Sequence, residues 1–194
     1  MNSIPAKMKA MAATAFTRDA IATIELDVPA PKRGEILVKI SAASLNYRDL
    51  AVLSGKYIAG LPLPLVPASD ACGTVVALGE GVTQWTLGDR VAPVYTQGWH
   101  DGLPTVQQRT RQTLGAPLAG VLQQYIAIPA DDAVAPPASL SDVEVATLPI
   151  AALTAWSTLQ EGGVKPGDVV LLQGTGGVSL FALQFAKAAG AKVI

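Results

Sequence analysis

The stretch 171–194, LLQGTGGVSLFALQFAKAAGAKVI, decides the fold. With Val169 and Val170 before it, its opening reads as the buried parallel strand "VVLLQ". A glycine-rich turn follows, then "VSLFALQFAKAAG" as a mostly apolar helix closed by Gly190, and "AKVI" begins another strand. Strand, glycine turn, helix and strand in that order open a dinucleotide-binding unit. In such a unit the first glycine permits the tight turn. The second lets backbone amides approach a pyrophosphate, whose charge sits at the helix amino end. Gly174 and Gly176 hold those places, and with Thr175, Gly177 and Val178 they form the candidate cradle. Ser179 stands where a small residue lets helix pack on strand. The residue that grips a ribose hydroxyl or accepts a 2'-phosphate is expected about 20 residues after the first glycine, at the end of this chain. A doubly wound domain also needs further strands, so nucleotide binding by these 194 residues is expected to be weak or undetectable.

Outward from that unit the texture changes. From Ile24 to Val94 short apolar runs ("EILVKI", "GTVVAL", "GDRVAPV") alternate with turns ("PAPKRG", "GEGV", "TLGD"), an all-β pattern. A long polar stretch over 95–120 reads as a loop with some helix. "LQQYIAIPADDAVAPP" gives one more strand and a proline-rich exit, where the domain boundary is placed: 1–137 and 138–194. Ser141 and Glu144 have the spacing of a capping box. The helix they open is expected to kink near Pro149 and to end at Gly162 and Gly163.

Half of the residues are apolar, 15% are charged and the formal net charge is -1, a balance that suits a small-molecule ligand rather than nucleic acid. No run approaches the ~18 apolar residues of a membrane span and the amino terminus lacks a signal-like apolar region, so a cytoplasmic location is the default. A single cysteine, Cys72, excludes an internal disulfide, and its apolar surroundings mark an inert thiol. The single histidine, His100, sits in a polar turn and reads as an exposed loop residue.

Taken together, "GTVVALGEGVTQWTLGDRVAP", "LPIAALTAW" and "QGTGGVSLFALQFAKAAGAKVI" resemble the medium-chain dehydrogenase/reductase superfamily across nearly the whole chain. The resemblance implies an α/β protein with an all-β part. A GroES-like β-barrel catalytic domain is followed by the first part of a Rossmann domain, a doubly wound parallel sheet, and the active site lies in the cleft between the domains. It also implies that the chain is truncated within the Rossmann domain, and that a full-length protein is a homodimer. The zinc-binding members hold their metal with a cysteine, a His-Glu pair and a second cysteine. Carried across, these fall on Asn46 in "NYRD", on Ser69 and Asp70 in "ASDACG", and on Ile150. Only Asp70 remains a plausible ligand, and catalytic zinc needs three firm ligands, so no metal is expected. The four-cysteine structural lobe is absent as well.

Without a Lewis acid, alcohol oxidation lacks an obvious means of stabilising an alkoxide, whereas hydride addition to a conjugated acceptor leaves a delocalised oxyanion that hydrogen-bond donors can hold. The sequence is thus similar to the zinc-free quinone oxidoreductases and enone or enoyl-thioester reductases, using NADPH or NADH, with NADPH preferred. In that resemblance Tyr57 occupies the place of a tyrosine acid, Asn46 that of an amide donor, and Thr154 that of a threonine near the nicotinamide. Read as residues alone, Tyr57 is equally a packed rim tyrosine, Asn46 a turn residue and Thr154 a helix-bonded hydroxyl. Arg48 and Asp49 are expected to pair locally or to orient neighbours, with Ser69 and Asp70 as polar wall. Two alternatives stay open: an alcohol or aldehyde dehydrogenase on the same scaffold, and a non-catalytic binding module whose exposed strand edges pair with a partner.

Overall fold

In a computed structural model, residues 3–17 and 19–194 are described, and the chain forms two compact units, 1–146 and 147–194. In the first, β1 (Lys7–Ala13) and β2 (Ile21–Asp27) make an antiparallel ladder. A five-stranded sheet contains β3 (Glu35–Ser44), β4 (Asp70–Leu78), β5 (Arg90–Pro93), β6 (Tyr125–Pro129) and β7 (Ala133–Val134), in the order β6-β3-β4-β5-β7. Isolated bridges from Ala10 to Gln123 and from Ala13 to Leu65 join the ladder to the segments that lead into β6 and β4.

β3 shows why the alternation is imperfect. Ile36, Leu37 and Val38 are all buried, because the strand is covered on both faces. Ile36 and Val38 join Val75, Val91, Val121 and Ile128 in the main core, while Leu37 packs with Met8 and Tyr125 on the other side. The β3–β4 register slips between Ile40 and Ala42, opposite Gly73 and Cys72. A Cβ at Gly73 would collide with the Lys39 carbonyl and the Val38 side chain, so only glycine lets these strands approach.

The helices of this unit are short: α1 (Tyr47–Leu53), α2 (Val106–Arg111) and α3 (Asp142–Val145). The capping box read at Ser141 and Glu144 is formed: the Ser141 N–H donates to Glu144 Oε2 at 2.8 Å and the Glu144 N–H to Ser141 Oγ at 3.4 Å. α3 packs on β3 and β4, and Arg90 reaches Asp142 at its amino end at 2.7 Å.

In the second unit a π-helical segment, Leu148–Ala152, stands where Pro149 interrupts the regular ladder, and α4 (Leu153–Glu161) follows. β8 (Val169–Val170) pairs in parallel with β9 (Lys192–Val193), and α5 (Gly177–Ala188) connects them. Small side chains allow close packing of α4 on α5: Ala155, Leu159, Ala182 and Ala186 form its core with Phe181 and Phe185. "VVLLQ" departs from its reading as a buried strand. Only two residues pair, and Val169 and Leu171 are 59% and 78% exposed, because β9 is the sole strand beside it among the described residues. No helix among those residues is long and apolar enough to cross a membrane.

Candidate functional site

Two groups of residues carry the candidate chemistry, one in each unit. In the first, Asn46 sits at the amino end of α1 and Ser69 and Asp70 at the start of β4, and the β3–β4 ladder places these ends together by pairing Ser44 with Asp70. The Asn46 amide donates from Nδ2 to Asp70 Oδ2 at 3.0 Å, and the Ser69 hydroxyl contacts Asp70 Oδ1 at 3.5 Å. Ser69 and Asp70 are buried, so their polarity is held inside the protein rather than lost to solvent. The carboxylate fixes the amide with its nitrogen inward, and one further N–H of Asn46 remains to be offered.

Asp49 locks this arrangement. It is buried, and its carboxylate accepts from the Asn46 N–H at 2.8 Å and from the Ala68 N–H. Burial pushes its pKa up, opposed by those two hydrogen bonds and by the charge of Arg48. Ala68, the residue before Ser69, has φ +65°, a left-handed conformation rarely adopted by alanine. Val121 donates to its carbonyl at 3.0 Å, which helps to hold the strained residue in place.

Of the two roles expected for Arg48 and Asp49, orienting neighbours is the one seen: among the described residues they form no ion pair with each other. Arg48 donates to the Leu114 carbonyl at 3.0 Å, the Ala116 carbonyl at 2.6 Å and the Thr113 hydroxyl at 3.3 Å. Its guanidinium carbon lies 5.1 Å from the Tyr57 ring centroid and 4.9 Å from that of Tyr95. Tyr57 follows α1 in a loop and is 48% exposed. Burial pushes the half-buried Tyr95 phenol up, with Arg48 opposing, and it makes hydrogen bonds to Thr113 and Tyr57.

His100 is exposed in a loop, as expected, and has a buried partner. Its Nε2 lies 2.9 Å from Oδ1 of the fully buried Asp132, which also accepts the Gly98 N–H at 2.8 Å. The pair ties the 95–112 segment to the sheet, a contact that spacing in the sequence does not announce. Cys72 is fully buried on β4, and burial, then the Asp142 carboxylate, pushes its thiol up to about 11. Trp85 donates to the Ala130 carbonyl at 2.8 Å as a core residue, and Trp156 meets Phe185 edge-on.

In the second unit the turn 174–178 is exposed between β8 and α5. Gly174 has φ +80°, and a Cβ built there or at Gly176 would meet nothing within 4 Å. Gly174 thus serves the turn, while the open space before the 12-residue α5 fits the approach of a pyrophosphate. Gly177 is different, since a Cβ there would come within 3.2 Å of Ala151. Ser179 donates to the Gln173 carbonyl at 2.9 Å and so ties the first turn of the helix back to the strand end. Thr154 is exposed on α4, and Ile150 lies in the π-helical segment. Among the described residues no three of His, Cys, Asp and Glu come together as a metal could require.

Residues 32–138 match the alcohol dehydrogenase GroES-like domain. A zinc-type alcohol dehydrogenase-like protein of Schizosaccharomyces pombe is 50% identical over 163 residues, which are 82% of this chain and 47% of that protein. A Sinorhizobium meliloti structure assigned as an alcohol dehydrogenase superimposes with a TM-score of 0.91 at 43% identity, covering 98% of this chain and 57% of that one. The quinone oxidoreductase of Coxiella burnetii follows at 0.79 and 28% identity, covering 96% and 55%. The chain thus spans about half the length of the relatives it matches. Motif order, the architecture of the first unit and these likenesses agree, and the chain belongs to the medium-chain dehydrogenase/reductase superfamily, with a GroES-like alcohol dehydrogenase domain as its amino-terminal part.

Proposed function

We propose that the chain forms the substrate-handling part and the first nucleotide-binding turn of a zinc-independent, nicotinamide-dependent oxidoreductase that reduces a quinone, enone or related conjugated carbonyl. What carries this reading is the donor set at the positions corresponding to the family's zinc ligands. In the first unit these are an amide, a hydroxyl and one carboxylate, and the carboxylate is already engaged by the other two. The fourth is Ile150, an aliphatic side chain. Zinc asks for three firm nitrogen, sulfur or carboxylate ligands, and this set does not fit it.

The bound nicotinamide supplies the hydride. The chain's own part is to bind and orient. Gly174, Thr175, Gly176, Gly177 and Val178 would hold the pyrophosphate at the amino end of α5, and Thr154 would lie near the nicotinamide. Orientation of acceptor against cofactor then accounts for much of the rate. The acceptor gains a hydride at carbon and a proton at oxygen. The Tyr57 hydroxyl donates to the developing enolate oxygen, and Asn46 holds that oxygen through its remaining N–H. NADPH is the preferred donor and the working assembly is a homodimer.

Alcohol oxidation is the second reading, favoured by the descriptions of the S. pombe and S. meliloti relatives. The two separate in one assay on the full-length protein. Nucleotide oxidation with 1,4-naphthoquinone, unaffected by 1,10-phenanthroline and without turnover of simple alcohols, is the expected result. Alcohol turnover that a chelator abolishes and added zinc restores would sink the proposal.

A further inference from the structure

Arg48 is placed as few surface-proximal arginines are. The edges of its guanidinium are occupied by backbone and hydroxyl acceptors at Leu114, Ala116 and Thr113, and its Nε is buried without a partner. Its guanidinium carbon lies over the rings of both Tyr57 and Tyr95. Among the described residues it forms no ion pair with a carboxylate, although its charge also acts on the neighbouring Asp49. A cation over an aromatic face is attracted by the ring quadrupole, and a planar guanidinium fixed at three points offers a rigid surface for such a contact. Tyr57 sits half-exposed in the loop that follows α1. The Tyr95 hydroxyl also meets that of Tyr57.

We propose that Arg48 is a positioning residue. It holds the Tyr57 ring over its guanidinium carbon, beside Tyr95, so that the Tyr57 hydroxyl is presented in one orientation to the substrate oxygen. This rests on the reading of Tyr57 as the proton donor. Arg48 sits one residue inside α1 from Tyr47 and two from Asn46, so one short helix sets both groups that meet the acceptor oxygen.

The test is a double-mutant cycle on the full-length protein, reading kcat and KM for 1,4-naphthoquinone reduction. Tyr57→Phe is expected to lower kcat by roughly 10²-fold, as loss of a general acid does. Arg48→Lys keeps the charge but loses the planar fork, and it is expected to lower kcat about tenfold with KM changed less than about twofold. Placed on Tyr57→Phe, Arg48→Lys should cost nothing further in kcat, since the group it positions is gone. Tyr95→Leu leaves the three anchoring bonds of Arg48 intact and should show the same dependence on Tyr57, so the proposal stays testable if Arg48→Lys folds poorly. An equal loss from Arg48→Lys or Tyr95→Leu with and without the Tyr57 hydroxyl overturns it and leaves Arg48 a staple between α1 and residues 113–116. An unchanged kcat in Tyr57→Phe removes the proton-donor reading, and the inference falls with it. Absence of any quinone reduction refutes the proposed function itself, and this inference with it.

Discussion

A buried carboxylate that serves only backbone donors is an expensive way to hold two loops, and Asp49 does this for the Asn46 and Ala68 amides. Truncation to alanine leaves both donors unpaired, at about 1–3 kcal/mol for each that stays buried. Asp49→Ala should therefore lose roughly 2–6 kcal/mol in denaturant unfolding. A loss below about 1 kcal/mol would mean that the bridge is not what holds the Asn46–Asp70 contact. Motif position was enough to single out Tyr57, Asn46 and the glycines of 174–177. It was not enough to say what holds them. Arg48 and Asp49 are neighbours of opposite charge, and adjacency suggests a pair. The fold instead sends Arg48 to acceptors 65 to 68 residues away and turns Asp49 towards the backbone of its own helix end. Partners at that separation are set by sheet topology, which local sequence does not encode. The His100–Asp132 contact was hidden for the same reason.

Elements were legible in proportion to their length and to the β-branched content of their sequence. β3, β4, β5 and β6 announce themselves through valine and isoleucine. β1, KMKAMAA, alternates buried and exposed residues just as clearly but uses methionine and alanine, weak strand formers, and went unread. α1 also escaped, because seven residues carry too little periodicity to register. α3, shorter still, was found through its cap. The contact that anchors it to the sheet makes a pH prediction. Its Asp142 is held below the usual carboxylate range first by the hydrogen bond from Arg90, and the Cys72 and Ser41 side chains add to this. A lowered pKa in the folded state gives stability that is complete above the unfolded value of about 3.9 and is lost as pH falls through the folded value. The melting temperature of Asp142→Asn should therefore lie below that of the parent at neutral pH and converge on it as pH falls below the unfolded value of about 3.9. Parallel curves would show that the ion pair contributes nothing, as many half-exposed pairs do.

At the scale of the molecule, each unit has a core of its own, yet the second leaves Val169, Leu171 and Ile194 exposed on its short parallel pair. The reading of "VVLLQ" as buried describes what such a strand is built for, and the solvent it meets here follows from having β9 as its described neighbour. Pyrophosphate held by a turn on so small a sheet has few further contacts. Fluorescence titration of the 194 residues with NADPH and NADH should accordingly give no saturation in the micromolar range, and saturation there would show the turn to be sufficient by itself. The first unit offers a different use. Cys72 lies on β4, the middle strand of five, and its thiol stays protonated at neutral pH. Since only the thiolate attacks a disulfide reagent, the folded chain is silent towards it and each labelling event marks an opening of the sheet. A protein with one thiol so placed carries its own clock for unfolding, readable in water without denaturant and in a mixture with any ligand that slows it.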